Sequence, residues 1–242
     1  MHRQGRWVPV AALGAYNLIQ NLLVPPRRYV PTNVGVGLTL IGFARRRGCS
    51  WDDLGLSLTG WKGGLIIGLA GAAVTAGGAA KAAALPASHA YLLDARARDQ
   101  TPQDSWYRAL VRFPIGTALF EEVAFRGVIY GIWRRSGKSH RSATTATAVA
   151  FGAWHLIPSL SALTGNPLGD RLNSRSAIAG VAVVGALATG ISSLGLTWLR
   201  RKTGNLIAPW LVHSAFNAAG YLAGVGAWRR EHSLYEKSDL PS

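Results

Sequence analysis

Cysteine is nearly absent: Cys49 is the only one in 242 residues. An internal disulfide is therefore excluded, and so is a cysteine-based zinc site; the redox compartment leaves no trace in the chain. Acidic residues are scarce as well, 11 against 26 Lys and Arg, which sets the formal net charge at +15. Charged residues of both signs make up only 15%, well below the roughly 25% of soluble domains. Neither a GxSxG serine elbow nor an HExxH pair occurs, so neither a Ser-His-Asp hydrolase nor a conventional zincin is expected.

What is present is apolar. Hydrophobic residues reach 49%, and the few charges fall between long apolar runs. A soluble protein this basic suggests nucleic-acid binding. Here the basic residues cluster at the ends of those runs, as Arg45-Arg46-Arg47, Arg134-Arg135 and Arg200-Arg201-Lys202. Such positions suit juxtamembrane anchoring, and no nucleic-acid partner is expected.

Seven apolar segments lie near 7–24, 29–44, 62–85, 109–133, 143–163, 176–199 and 205–228. Most are long enough for the roughly 20 helical residues that cross a hydrocarbon core. The expected fold is all-α: a polytopic transmembrane helical bundle of about seven helices, forming one integral membrane domain over 1–242 with a polar, frayed tail at 229–242. The second segment is short enough to be tilted or re-entrant, and the fifth is expected to break near Pro158. The third is rich in Gly and Ala, which lets helices approach closely in lipid, and Lys81 near its end should snorkel to the interface. Trp7, Trp61, Trp106, Trp133, Trp198 and Trp228 flank the segments like an interfacial belt. The first segment carries Asn17, Gln20 and Asn21 and no clean small-x-small site, and reads as a retained helix rather than a leader. The three densest basic clusters favour an inside N-terminus and an outside C-terminus.

One apolar stretch, Phe113 to Trp133, contains Glu121, Glu122 and Arg126. Charges at bilayer depth are rare and mark functional sites. Each costs roughly 2.5–3.5 kcal/mol at a helix centre, so three unpaired charges would cost on the order of 8–10 kcal/mol. Residues on a helix are about 100° apart. Glu122 and Arg126, at i and i+4, share a face and can pair. Glu121 projects elsewhere and needs a partner on another helix.

Two other segments offer partners. The fifth has Phe151 and His155 at i, i+4; the seventh has His213 and Asn217 at the same spacing. A carboxylate beside an imidazole activates water, with or without a metal. A second His with an Asn can donate hydrogen bonds to a developing oxyanion. Together they describe hydrolysis of an acyl bond. Taken singly, each has a blander reading: a hydrogen-bonded structural His, an Asn as interhelical glue, a Glu pair in an ion pathway. A non-catalytic scaffold or self-immunity protein of the same build and a proton-coupled transporter are the alternatives. Transporters often carry internal repeats, and none is visible here.

These three motifs in order, EExxxR at Glu121-Glu122…Arg126, FxxxH at Phe151…His155 and HxxxN at His213…Asn217, resemble the CPBP family of intramembrane proteases. That family includes type II CAAX prenyl endopeptidases and bacterial ABI or bacteriocin-processing proteins. The stretch LRRKTGNLIAPWLVHSAFN resembles the segment before its last motif, and DDLGLSLTGWKGG its short linker before a core helix. The resemblance covers roughly 110–220, the expected catalytic core, and is weak before it. It implies an intramembrane endopeptidase in which Glu121 and His155 activate water, His213 and Asn217 stabilise the oxyanion, and Glu122, Arg126 and Phe151 support the site. It implies a membrane-associated or lipidated, CAAX-type substrate, and a multi-pass protein of a prokaryotic plasma membrane. Zinc is a candidate cofactor, with Glu121, His155 and either His213 or Glu122 as ligands. A metal-independent site is the open alternative, since a catalytic zinc usually has three protein ligands.

Overall fold

The computed structural model describes residues 3–164, 169, 171, 172 and 174–238, and among these every regular element is helical. The helices of nine or more residues are α1 (Val8–Leu22), α2 (Tyr29–Arg46), α3 (Trp61–Ala84), α4 (102–135), α5 (His140–Trp154), α6 (Leu156–Thr164), α7 (Arg175–Thr203) and α8 (Ile207–Ser238). Three helical stretches, Trp61–Ala84, His140–Leu163 and Arg175–Thr203, are long and apolar enough to cross a membrane. Their outer faces expose large apolar side chains, among them Ile66, Val74, Val184 and Ile191, a surface that suits lipid rather than water. Residues 165–168, just after the fifth apolar stretch, lie outside the described residues, as do 239–242 of the expected tail.

The bundle is built around α4. Residues 120–133 are all buried, as expected of a helix that is apolar on nearly every side. Phe120, Phe125, Val128 and Ile132 meet Leu13 and Tyr16 of α1, Leu40 and Ala44 of α2, and Phe151 and Trp154 of α5. The helix is wound in wide i→i+5 turns over Arg108–Leu119 and Glu122–Ile129. Pro114 lies inside the first stretch and has no N–H to give the ladder. Wide turns of this kind are rare and gather at functional sites.

Glycines decide how the last helix is placed. A Cβ on Gly64 would stand 2.4 Å from Asn205 Oδ1, one on Gly68 2.8 Å from Leu211 Cδ1, and one on Gly71 2.6 Å from Val212 Cγ2. Helix α3 therefore presses its small-residue face on α8, the close approach expected of the Gly/Ala-rich segment. Asn205 caps α8 by accepting from Ile207 N–H at 3.0 Å.

Several expectations shift in the folded chain. The break expected near Pro158 falls at His155, between α5 and α6. Pro158 cannot donate to the carbonyl four residues back, and that carbonyl, Trp154 O, instead accepts from Asn17 Nδ2 at 3.0 Å. The short second segment becomes the 18-residue α2. The polar tail continues α8 through Ser238. Trp133 does not join an interfacial belt: it is buried against Trp7, ring centroids 5.0 Å apart, because α4 is enclosed at that level. Trp7, Trp61, Trp106 and Trp198 are exposed.

Cys49 is fully buried in the turn after α2. Burial pushes its thiol up to about 11, with Asp53 adding to the rise against Arg135 and Arg45. At mildly alkaline pH it thus holds about 100-fold less thiolate than an exposed thiol. With a raised folded value, the stability tied to the neutral thiol is intact below the ordinary thiol value of 9.0 and is lost as pH rises toward about 11. We expect iodoacetamide to label Cys49 at least 100-fold more slowly in the folded protein than in dodecyl sulfate, a rate readable by intact-mass spectrometry.

Candidate active site

Three helices bring ionisable groups to one buried point. Helix α4 supplies Glu121 and Glu122, the α5–α6 break supplies His155, and α8 supplies His213. Glu121, Glu122, Arg126 and His213 are all buried, with Glu122 and Arg126 at 0% exposure.

Glu122 pairs along its own helix. Arg126 Nη1 donates to Glu122 Oε1 at 3.0 Å, the i, i+4 contact read from the sequence. The same Oε1 lies 2.8 Å from His213 Nδ1. The guanidinium carbon of Arg126 sits 4.0 Å from the centroid of the Phe151 ring, a cation–π contact that is stronger when desolvated. Phe151 also flanks both imidazoles, at centroid distances of 4.4 Å to His155 and 6.0 Å to His213.

Glu121 is held differently. Its Oε1 accepts from the Trp154 indole N–H at 3.0 Å. Its Oε2 is buried and has no hydrogen-bond partner among the described residues. That oxygen faces His213 Nε2 at 3.7 Å and His155 Nε2 at 3.8 Å, too far for a direct hydrogen bond.

The outer hydrogen bonds define the imidazole tautomers. His155 Nδ1 lies 2.8 Å from Phe151 O. A carbonyl only accepts, so Nδ1 carries the proton. His213 Nδ1 likewise donates to the Glu122 carboxylate. In their neutral forms both rings then turn an unprotonated Nε2 toward Glu121 Oε2. Three acceptors converge on one point. Two carboxylates and one guanidinium leave a formal surplus of one negative charge there. One added proton, or a cation, completes the constellation.

Among the described residues, no group of three or more His, Cys, Asp or Glu side chains stands ready to hold a metal ion. The Oε2–Nε2 separations of 3.7 and 3.8 Å exceed the edge of a tetrahedral zinc site, about 3.3–3.4 Å from its bond lengths. The expected ligand set of Glu121, His155 and His213 is brought together around Glu121 Oε2, and its side chains would close by about 0.4 Å to hold zinc.

Asn217 lies one helical turn beyond His213 on α8, half-buried, with its amide making no hydrogen bond to another described residue. Trp154 is the residue that spacing did not single out. Its position beside His155 in FGAWH and the need of a buried indole N–H for an acceptor were the available signals. Trp154→Phe removes the one bond to Glu121 while keeping the ring. We expect kcat to fall about 10- to 100-fold with KM little changed, the loss of one hydrogen bond to a charged group. The same bond, worth about 1.5–3 kcal/mol to stability, should also lower the melting temperature, so rates are compared where both proteins are fully folded.

The stretch 103–219 matches the family model of Rce1-like type II CAAX prenyl endopeptidases. No curated protein and no solved structure matches the chain. The matched stretch runs from the first turn of α4 to α8 just past Asn217, and so takes in Glu121, Glu122, Arg126, Phe151, His155, His213 and Asn217. With its apolar helices and this domain, the chain is an integral membrane protein, and its residues 103–219, just under half of its length, are similar to the Rce1-like type II CAAX prenyl endopeptidases, a family of proteases.

Proposed function

We propose that this protein is an intramembrane endopeptidase that hydrolyses a peptide bond of a membrane-associated or lipidated substrate with a water activated by Glu121. The observation that carries this reading is the unpartnered, buried Glu121 Oε2 between two imidazole Nε2 atoms. A water at that point gives one proton to Oε2 as its oxygen attacks the scissile carbonyl. His155 Nε2 accepts the water's other hydrogen and orients it. The carbonyl becomes a tetrahedral oxyanion. Protonated at Nε2 and stabilised through Nδ1 by Glu122, His213 donates to that oxyanion, and the Asn217 amide supplies a second donor. The C–N bond then breaks, and the proton held by Glu121 passes to the leaving amine. Glu122 and Arg126 keep His213 in register throughout.

Each step uses groups of the chain itself. Zinc, if bound to Glu121, His155 and His213, would polarise the same water. The bilayer crossings are proposed to be seven, α5 and α6 together making one, in the plasma membrane of a prokaryote. The large apolar side chains left exposed along α1, α3 and α7 support lipid contact for those helices.

The test is cleavage of fluorogenic peptides, with and without a C-terminal prenyl group, by the full chain in proteoliposomes. Cleavage that persists in 1,10-phenanthroline supports the metal-independent mechanism. Loss that added zinc restores overturns that mechanism and assigns the three side chains as ligands. Absence of cleavage of every membrane-bound peptide would count against the endopeptidase reading.

A further inference from the structure

A cavity opens at the end of the bundle where α4 and α7 finish. Its volume is about 670 Å³, and Arg134, Arg135, Arg200, Arg201 and Lys202 line it. None of these five side chains is within ion-pair distance of a carboxylate among the described residues. Asp52 and Asp53 also reach the wall, but both are engaged locally. Asp52 accepts from the Ser57 hydroxyl, and Asp53 Oδ2 accepts from Ser50 N–H at 2.8 Å in a capping box. The wall keeps a formal surplus of three positive charges.

The bland account is that basic residues complement the C-terminal ends of two helices. It explains part of the cluster. Arg134 Nη1 donates to Lys138 O at 2.5 Å. Arg200 is buried, and its guanidinium donates to Asp52 O and Asp53 O at 2.8 and 2.9 Å. Its Nε has no partner among the described residues. Arg135, Arg201 and Lys202 are exposed and make no hydrogen bond to any described residue. Two helix ends bring about half a negative charge each, which does not offset three free cations on top of a buried fourth.

Trp198, 57% exposed, also lines the cavity, one turn before Lys202 on the apolar α7. An exposed tryptophan at the end of a membrane-length helix marks the headgroup level. Anions at that depth are phosphates, and basic pockets between membrane helices take lipid headgroups. We propose that this cavity binds the phosphate of an anionic phospholipid headgroup, with Arg200 as its anchored base and Arg135, Arg201 and Lys202 closing on the phosphate oxygens. The site is distinct from the carboxylate–imidazole centre and does not rest on its chemistry.

The experiment is calorimetric titration of the detergent-purified full chain with dihexanoyl phosphatidic acid, dihexanoyl phosphatidylcholine and inorganic phosphate at equal ionic strength. Phosphatidic acid should bind and phosphatidylcholine should not. The Arg135→Gln/Arg201→Gln/Lys202→Gln variant should bind about 100-fold more weakly, and Lys202→Gln alone about fivefold. Slow labelling of Cys49 shows that each variant is folded; if the triple variant is not, the single one decides. Equal binding of the two lipids, or equal affinity of wild type and folded variant, overturns the site. Inorganic phosphate binding as tightly as phosphatidic acid overturns the headgroup assignment in favour of a free anion.

Discussion

Glu121→Gln lowers the rate of peptide cleavage by about 100- to 10,000-fold, the range that general acid–base catalysis contributes, and leaves the fold in place. Glutamine keeps the shape of the side chain, and its amide oxygen still accepts from the Trp154 indole that now bonds Glu121 Oε1 at 3.0 Å. What disappears is the second carboxylate oxygen as a base. Glutamine puts either an amide N–H₂ or a weakly basic oxygen opposite His155 and His213. Glu121→Ala is the blunter variant, because it also strands a buried indole donor and leaves a void. A rate loss with Gln at unchanged thermal stability separates chemistry from packing. Full activity in Glu121→Gln would remove Glu121 from the base role.

Arg126→Met has the largest expected effect on stability. Both partners of the Arg126–Glu122 pair are fully buried, and their 3.0 Å contact is the guanidinium's only hydrogen bond among the described residues. Removing one side leaves an uncompensated buried carboxylate, which costs about 3–5 kcal/mol. The loss of the cation over the Phe151 ring adds to it. The double variant Glu122→Gln/Arg126→Met should recover most of that stability, because neither charge then lacks its partner. It should not recover activity. Without the Glu122 carboxylate, no negative charge at His213 Nδ1 favours the imidazolium that the oxyanion needs. Chemical unfolding in detergent micelles reads the first effect and the fluorogenic assay the second. A double variant as unstable as Arg126→Met would show that shape, not charge pairing, sets the cost.

Much of this site was legible before folding. The i, i+4 spacing of Glu122 and Arg126 is a property of one helix, and the contact appears as the spacing predicts. His155 and His213 stood out because ionisable groups in apolar segments need a reason to be there. The remainder depended on tertiary placement. That Glu122 grips His213 as well as Arg126 follows from where α8 lies against α4, and the glycines of α3 that press α8 into place do not announce the register of that contact. Trp154 was hidden for a similar reason: a tryptophan in an apolar run looks like packing until its N–H is seen to meet a carboxylate. That the chain is all-helical, with helices long and apolar enough to cross a membrane, was readable from apolar length. The wide turns of α4 and the burial of Trp133 were not, because periodicity reports an average winding and flank position reports only distance along the chain.

The most direct measurement is a comparison of protein termini in membranes from cells that express the wild-type chain or Glu121→Ala. Mass spectrometry should find new termini, at a bond in or near the bilayer, that occur with wild type and vanish with the variant. Identical termini in both membranes, with the two proteins equally abundant and folded, would contradict the claim that Glu121 activates the water of an intramembrane protease.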